Sequence, residues 1–212
     1  MTFMSEFDFH PIFVTPEKTE MVRKFLNKIN DMHFARSVIE LRAFAEAIGV
    51  IKVYPELRTL TGTKVPPSII LKEGLKSAKR LKEEGKPHTA WGQNSGDGIY
   101  TIGQEGWGGD LETWGSNVYE VKMQNAAILR GNNPFASMIT SIYYHMLERD
   151  QINGGSFDKT GPTPGLPRSF LMQNAPAKPR IYYDLGLVGL SDSLEILIRT
   201  QHIPPELITQ VK

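Results

Sequence analysis

Between Gly108 and Gln124 the chain reads Gly-Gly-Asp-Leu-Glu-Thr-Trp-Gly-Ser-Asn-Val-Tyr-Glu-Val-Lys-Met-Gln, and no other stretch restricts the fold as much. Val118, Tyr119, Val121 and Met123 form an apolar, β-rich arm. Leu111, Thr113 and Trp114 form a shorter one, and Gly115-Ser116 between them is a turn signal, so the stretch predicts a β-hairpin. Loop length sets its register. A three-residue loop centred on Gly115 puts Asp110 opposite Glu120. A two-residue loop at Gly115-Ser116 puts Asp110 opposite Val121, on the other side of the sheet. In the first register Lys122 shares the face of both carboxylates, because strand side chains alternate with period two. Facing carboxylates repel, and a divalent cation removes that penalty. Hard oxygen donors suit Mg²⁺, which binds through one or two carboxylates, waters and substrate phosphate.

Asp110, nine residues, then Glu120-Val121-Lys122 resembles the D…(D/E)xK core of the PD-(D/E)XK nucleases. It is most similar to type II restriction endonucleases with a short hairpin between the motif halves. The resemblance covers only this hairpin, and Gly109 stands where the family often has proline. It implies phosphodiester hydrolysis. Asp110, Glu120 and the main-chain carbonyl of Val121 would hold Mg²⁺. Lys122 would orient or deprotonate the attacking water and stabilise the pentavalent phosphate. Such enzymes are usually homodimers on palindromic double-stranded DNA, and they imply a partner methyltransferase. Glu105, Glu40 and Glu73 are candidates for an accessory acidic ligand.

The chain of 212 residues suggests one domain. The expected fold class is α/β (α+β): a central mixed sheet with the D…ExK hairpin, flanked by helices, and a helical N-terminal third. Residues 1–85 are expected to be mainly helical and to offer a dimer surface, with the catalytic core in 98–212. There is no cysteine, which excludes disulfides, thiolate catalysis and Cys-type zinc sites. The expected location is cytoplasmic, since the N-terminus lacks a basic region of the signal-peptide kind and no run has the length of a membrane span. A net charge of +1 counts mildly against a DNA enzyme, although local patches can carry phosphate contacts.

Residues 1–14 hold Phe3, Phe7, Phe9 and Phe13 and are read as an arm. Thr15-Pro16-Glu17 opens a helix to about Asn30, with Met21, Val22, Phe25, Leu26 and Ile29 on one face. A second helix places Phe34, Val38, Leu41, Ala45 and Ile48 together and ends at Gly49. A short strand is expected at 50–54, a polar connection at 59–67 and one helix over 68–84. That helix would carry Lys72, Lys76, Lys79, Arg80 and Lys82 on a basic outer face. Gly98 to Gly103 reads as a strand. Asn133-Pro134 starts an amphipathic helix over 135–149, on which His145 is not a catalytic candidate. Residues 153–179 read as a long loop, 180–188 as a strand, 192–200 as a helix capped by Ser191, and Pro204-Pro205 as the start of a short helix.

Candidate DNA contacts are Gln124, Asn125, Arg130, Lys159 and Arg168, because Arg, Asn and Gln can read base edges and Lys contacts phosphate. There is no Walker A motif, no dinucleotide fingerprint and no HExxH, so no small-molecule cofactor is expected. The competing class is a non-enzymatic viral or phage assembly subunit, for which the aromatic arm and the Gly/Pro-rich loop would supply contacts. A repair or junction nuclease shares the chemistry and differs in substrate shape.

Overall fold

A computed structural model describes residues 15–86, 98–103, 115–152, 180–192 and 194–211. The chain opens with two helices, α1 (Pro16–Ile29) and α2 (Phe34–Ala47). Both have the expected bounds and bury most of the expected stripes: Val22, Phe25, Leu26 and Ile29 on α1, and Val38, Leu41 and Ala45 on α2, while Met21 stays exposed and Phe34 and Ile48 are partly buried. Gly49 follows α2 with φ +73, and its N–H donates to the Glu46 carbonyl, the left-handed ending that glycine accepts without a Cβ penalty.

Strand β1 (Ile51–Thr63) is far longer than the expected 50–54 and takes in most of the supposed connection at 59–67. It pairs antiparallel with β4 (Asn117–Arg130) over nearly its whole length, from Ile51 opposite Leu129 to Thr63 opposite Asn117. Thr59 and Thr61, polar on a sequence scale, are β-branched and lie buried in this ladder. The Thr61 hydroxyl donates to the Tyr100 carbonyl at 2.8 Å.

The expected helix over 68–84 is broken into α3 (Pro67–Glu73), β2 (Leu75–Lys76) and α4 (Ala78–Glu83). Gly74 is the cause. It sits at φ 81 and ψ −179, a region open essentially to glycine alone. A Cβ there would collide with the Ile203 carbonyl, because β2 pairs at this point with β7 (His202–Ile203). The basic face is therefore divided. Lys76 bridges Glu73 at 3.0 Å and Glu84 at 2.8 Å, and Arg80 pairs with Glu84 at 2.7 Å.

β3 (Ile99–Gly103) lies where it was expected. So does α5 (Ala136–Ile152), entered through Asn133, whose side-chain oxygen accepts from the Phe135 N–H at 2.9 Å. Two other expectations fail. Residues 180–188 begin with a short helix, α6 (Arg180–Asp184), and the described residues of 192–200 contain no helix. In place of the latter, β5 (Gly189–Asp192) and β6 (Glu195–Ile198) form a hairpin in which Asp192 faces Glu195. After β7, Pro205–Leu207 forms a single 3₁₀ turn and β8 (Ile208–Gln210) ends the fold.

The sheet is mixed, with one parallel pair, β4 with β5, and antiparallel pairs elsewhere. Pairing runs β1-β3-β6-β5-β4 and returns from β4 to β1, closing a ring of five strands, with β8 added along β4. Val22, Leu26, Leu41, Ile139, Ile142, Leu147 and Ile181 from α1, α2, α5 and α6 pack with Ile51, Ala127, Leu129, Leu190 and Leu197 of the sheet. A second cluster occupies the other face: Leu57, Ile99, Tyr119, Val121, Ile128, Ile196 and Ile198, joined by Ile70, Leu75, Ile203 and Ile208. Helices about 10 Å across do not fit inside a five-stranded ring, so the helical cluster lies outside it.

Candidate functional site

Pro55 in β1 and Asn125 in β4 mark a kink that determines which way the expected site residues point. The ladder skips this pair between Tyr54–Ala126 and Glu56–Gln124. Proline has no N–H to give, and Asn125 takes φ 51, a left-handed conformation that asparagine tolerates better than most residues. The faces exchange across the kink. Odd-numbered Tyr119 and Val121 before it, and even-numbered Ala126 and Ile128 after it, join the same inner cluster. Even-numbered residues before the kink therefore share the face of the helices, as do Leu60 and Val118, which pack with Ile102.

Glu120 and Lys122 lie on that outer face. Their side chains meet, Nζ to Oε2, at 3.1 Å. Arg58, reaching across from β1, places Nη2 2.7 Å from Glu120 Oε1. Glu120 is only 6% exposed, whereas both cations keep part of their surface in solvent. Burial pushes the Glu120 carboxyl up, but hydrogen bonds from Arg58 and Lys122 outweigh it and hold the group below the ordinary glutamate value. It is a charged carboxylate at neutral pH. The polar row continues along the two strands. Gln124 donates to Glu56 Oε2 at 3.1 Å, and Arg58 Nε stands 3.8 Å from Glu56 Oε1.

The expected cross-strand partner of Glu120, Asp110, lies outside the described residues. Both places beside Glu120 are filled, by Leu60 of β1 and Thr209 of β8. The apolar arm of the supposed hairpin is an interior strand, long enough to pair with β1 on one side and with β8 and β5 on the other. Asp110 and the arm at 111–114 lie outside the described residues, as do Glu105, Lys159, Arg168 and the loop at 153–179. Val121 buries its side chain in the inner cluster, opposite Glu120.

The chain matches no family model, no curated protein and no solved structure.

Of the candidate DNA contacts that are described, Gln124 and Asn125 are exposed together at the kink. Arg130 is six residues further on, roughly 20 Å along the strand. Its N–H donates to the Val50 carbonyl, and it pairs with Ser191 of β5. The proposed accessory ligands are separated. Glu40 binds Lys28 Nζ at 2.5 Å on the helices, and Glu73 binds Lys76 and Lys86 beside α3. Among the described residues no group of three or more His, Asp or Glu converges as a metal site, and no helix is long and apolar enough to cross a membrane.

Arg58 escaped the sequence reading. Ending β1 at Tyr54 left it in a loop, and its partner Glu120 is distant in sequence. The signal was the β-branched density of Thr59, Thr61 and Thr63, which favours a strand although the apolar residues Leu57 and Leu60 fall on opposite faces.

Proposed function

We propose that the chain is a Mg²⁺-dependent, site-specific DNA endonuclease of the type II restriction kind. The observation that carries this reading is the meeting of Glu120 and Lys122 on one strand, with the carboxylate kept charged. A second observation agrees with it. In the resembled family a helix follows the ExK strand and packs on the sheet, and α5 follows β4 and shares one apolar cluster with Ala127 and Leu129.

The donor chemistry suits the metal. An ionised carboxylate and a neighbouring main-chain carbonyl, Val121, are hard oxygen donors, and Mg²⁺ keeps its remaining positions for water and phosphate. Asp110 is the proposed second carboxylate. The bound metal would supply charge neutralisation at the phosphoryl oxygens and a more acidic water. Lys122, beside Glu120, is placed to take or orient the proton of that water and to oppose negative charge on the phosphate. Gln124 and Asn125, exposed on the same strand, are proposed to meet the DNA, with Arg130, Lys159 and Arg168 as further contacts. A homodimer on a two-fold DNA site remains part of the proposal. The apolar stripes of α1 and α2 are taken up within the protomer, so a dimer surface there would use Met21 and Ile39, which stay exposed.

One observation favours the non-enzymatic assembly subunit. Both Glu120 oxygens already hold a cation, and a satisfied ion cluster needs no ligand. Plasmid and phage DNA incubated with the protein in Mg²⁺, beside EDTA controls, separates the two. The endonuclease should give discrete fragments that EDTA abolishes, and Asp110→Ala, Glu120→Gln and Lys122→Met should each slow cleavage by about 100-fold or more. Smeared or nicked products would mean a structure-specific nuclease. Intact DNA in both Mg²⁺ and Mn²⁺ would leave the assembly subunit as the better reading.

A further inference from the structure

Residues 64–86 hold seven lysines and arginines and three glutamates, a net +4 in a chain whose total is +1, so the remainder is net acidic. The fold sorts these charges. Glu73 and Glu84 are partly buried and close one ion cluster with Lys76, Arg80 and Lys86. Lys64, Lys72, Lys79 and Lys82 are exposed outside that cluster. Of these, Lys64, Lys72 and Lys82 form no ion pair among the described residues. Two acids are exposed nearby: Glu83 on α4, and Glu206 on the 3₁₀ turn that lies against α3. The placement of the segment is fixed from below. β2 pairs with β7 between the two helices, and Ser77 Oγ accepts from the Arg80 N–H at 3.2 Å. Ile70 and Leu75 join the apolar cluster on the sheet face opposite Glu120.

We propose that this segment is a docking surface for the phosphate backbone of duplex DNA, independent of sequence and separate from Glu120. Its cations are spread over two helices, each roughly 10 Å long. Such a spread suits a duplex, which carries one charge per roughly 1.7 Å of its axis, and docking there releases condensed counterions. A single phosphate is gripped instead by a converging arginine fork, and Arg80 already spends its Nε on Glu84. Lysine is a point charge without a fork, so these contacts place the duplex without reading it. Ile69 and Leu71 are exposed on α3 as well. Two apolar side chains give a lipid surface little area to bury, so charge dominates here. The surface needs neither metal nor Glu120, and it goes beyond the endonuclease reading.

The test is fluorescence anisotropy of a labelled duplex of arbitrary sequence, titrated with the full chain in EDTA over a series of salt concentrations. The triple variant Lys64→Gln, Lys72→Gln, Lys82→Gln should bind about tenfold more weakly or worse at low salt. Its plot of log affinity against log salt should flatten by about 0.9 for each lysine that met a phosphate. Lys24→Gln, Arg36→Gln and Lys52→Gln together remove the same charge from exposed positions elsewhere and should leave most of the affinity in place. The three lysines changed to arginine should bind as the unmodified chain does. Equal losses in the two glutamine triples would mean bulk charge alone, and overturn the surface. So would an unmodified chain that ignores the duplex at low salt, or one that binds anionic phosphatidylserine vesicles in its place. A thermal melt of each variant, unchanged from the unmodified chain, ties any loss to the surface. Duplex that binds through these lysines and stays intact in Mg²⁺ sinks the endonuclease reading and leaves the surface standing.

Discussion

Glu120 is buried, where a lone carboxylate would take up a proton. It stays charged because two cations are fixed beside it, and only one was visible in advance. Lys122 follows at i+2, so strand alternation alone puts it on the same face. Arg58 arrives from β1, far earlier in the chain, through a pairing that no local pattern records. Tyr143 repeats the lesson on α5. Its position marks it as buried, but not the acceptor of its hydroxyl, the Asp184 carboxylate on α6 at 2.7 Å. Burial, and then this bond, push the phenol well above its ordinary value, so it remains a neutral donor. Tyr143→Phe leaves Asp184 with Arg180 alone, at 3.1 Å. The loss should be about 1.5–3 kcal/mol, the range for a hydrogen bond to a charged group. Urea unfolding measures it, and an unchanged midpoint would show that solvent replaces the bond.

Elements with a wide apolar stripe fold as their periodicity dictates. Helices α1, α2 and α5 are long enough for the stripe to repeat, and capping signals agree at each start or end. Short elements went the other way. Residues 180–188 look β-rich, yet Arg180 and Asp184 pair one helical turn apart and Ile181 and Tyr182 are buried, so helix wins locally. Residues 195–198 bury Ile196 and Ile198 on one face of the sheet and Leu197 on the other, which leaves no polar side and makes helix and strand indistinguishable by period. The segment α3-β2-α4 is held by charge around Lys76. The Glu84 carboxyl is lowered to about 2, first by the hydrogen bond from Lys76 and then by that from Arg80. Glu73 is lowered as well, chiefly by Lys86 and Lys76. An unfolded glutamate titrates near about 4.3. On acidification the unfolded chain takes up protons first, so this contribution is complete above that value and disappears as pH falls towards about 2. Lys76→Met should raise the Glu84 midpoint and move acid unfolding to higher pH. Carboxyl NMR titration checks this, and an ordinary Glu84 midpoint in the unmodified chain would contradict it.

At the scale of the molecule, the closed ring depends on short strands that link the long ones. Leu197 of β6 is fully buried among the helices, on a strand joined to β3 on one side and β5 on the other. Leu197→Ala should cost about 2–5 kcal/mol, the range for truncating a buried leucine. Guanidinium unfolding should lose its midpoint accordingly without a change of slope. A split transition would show instead that the helical layer and the ring unfold separately.

Three kinds of information were legible in the chain itself: the helical stripes, the strand character of 99–103 and 118–123, and the proximity of Glu120 to Lys122. Each depends on residues within a turn or a pleat of one another. The tertiary structure alone decided that 51–63 pairs with 117–130, that Leu60 and Thr209 stand beside Glu120, and that Arg58 reaches it. The physical reason is that strand pairing is set by which backbone edges meet after collapse. Here β4 pairs along its length with β1, far earlier in the chain, and no local turn signal records that partner.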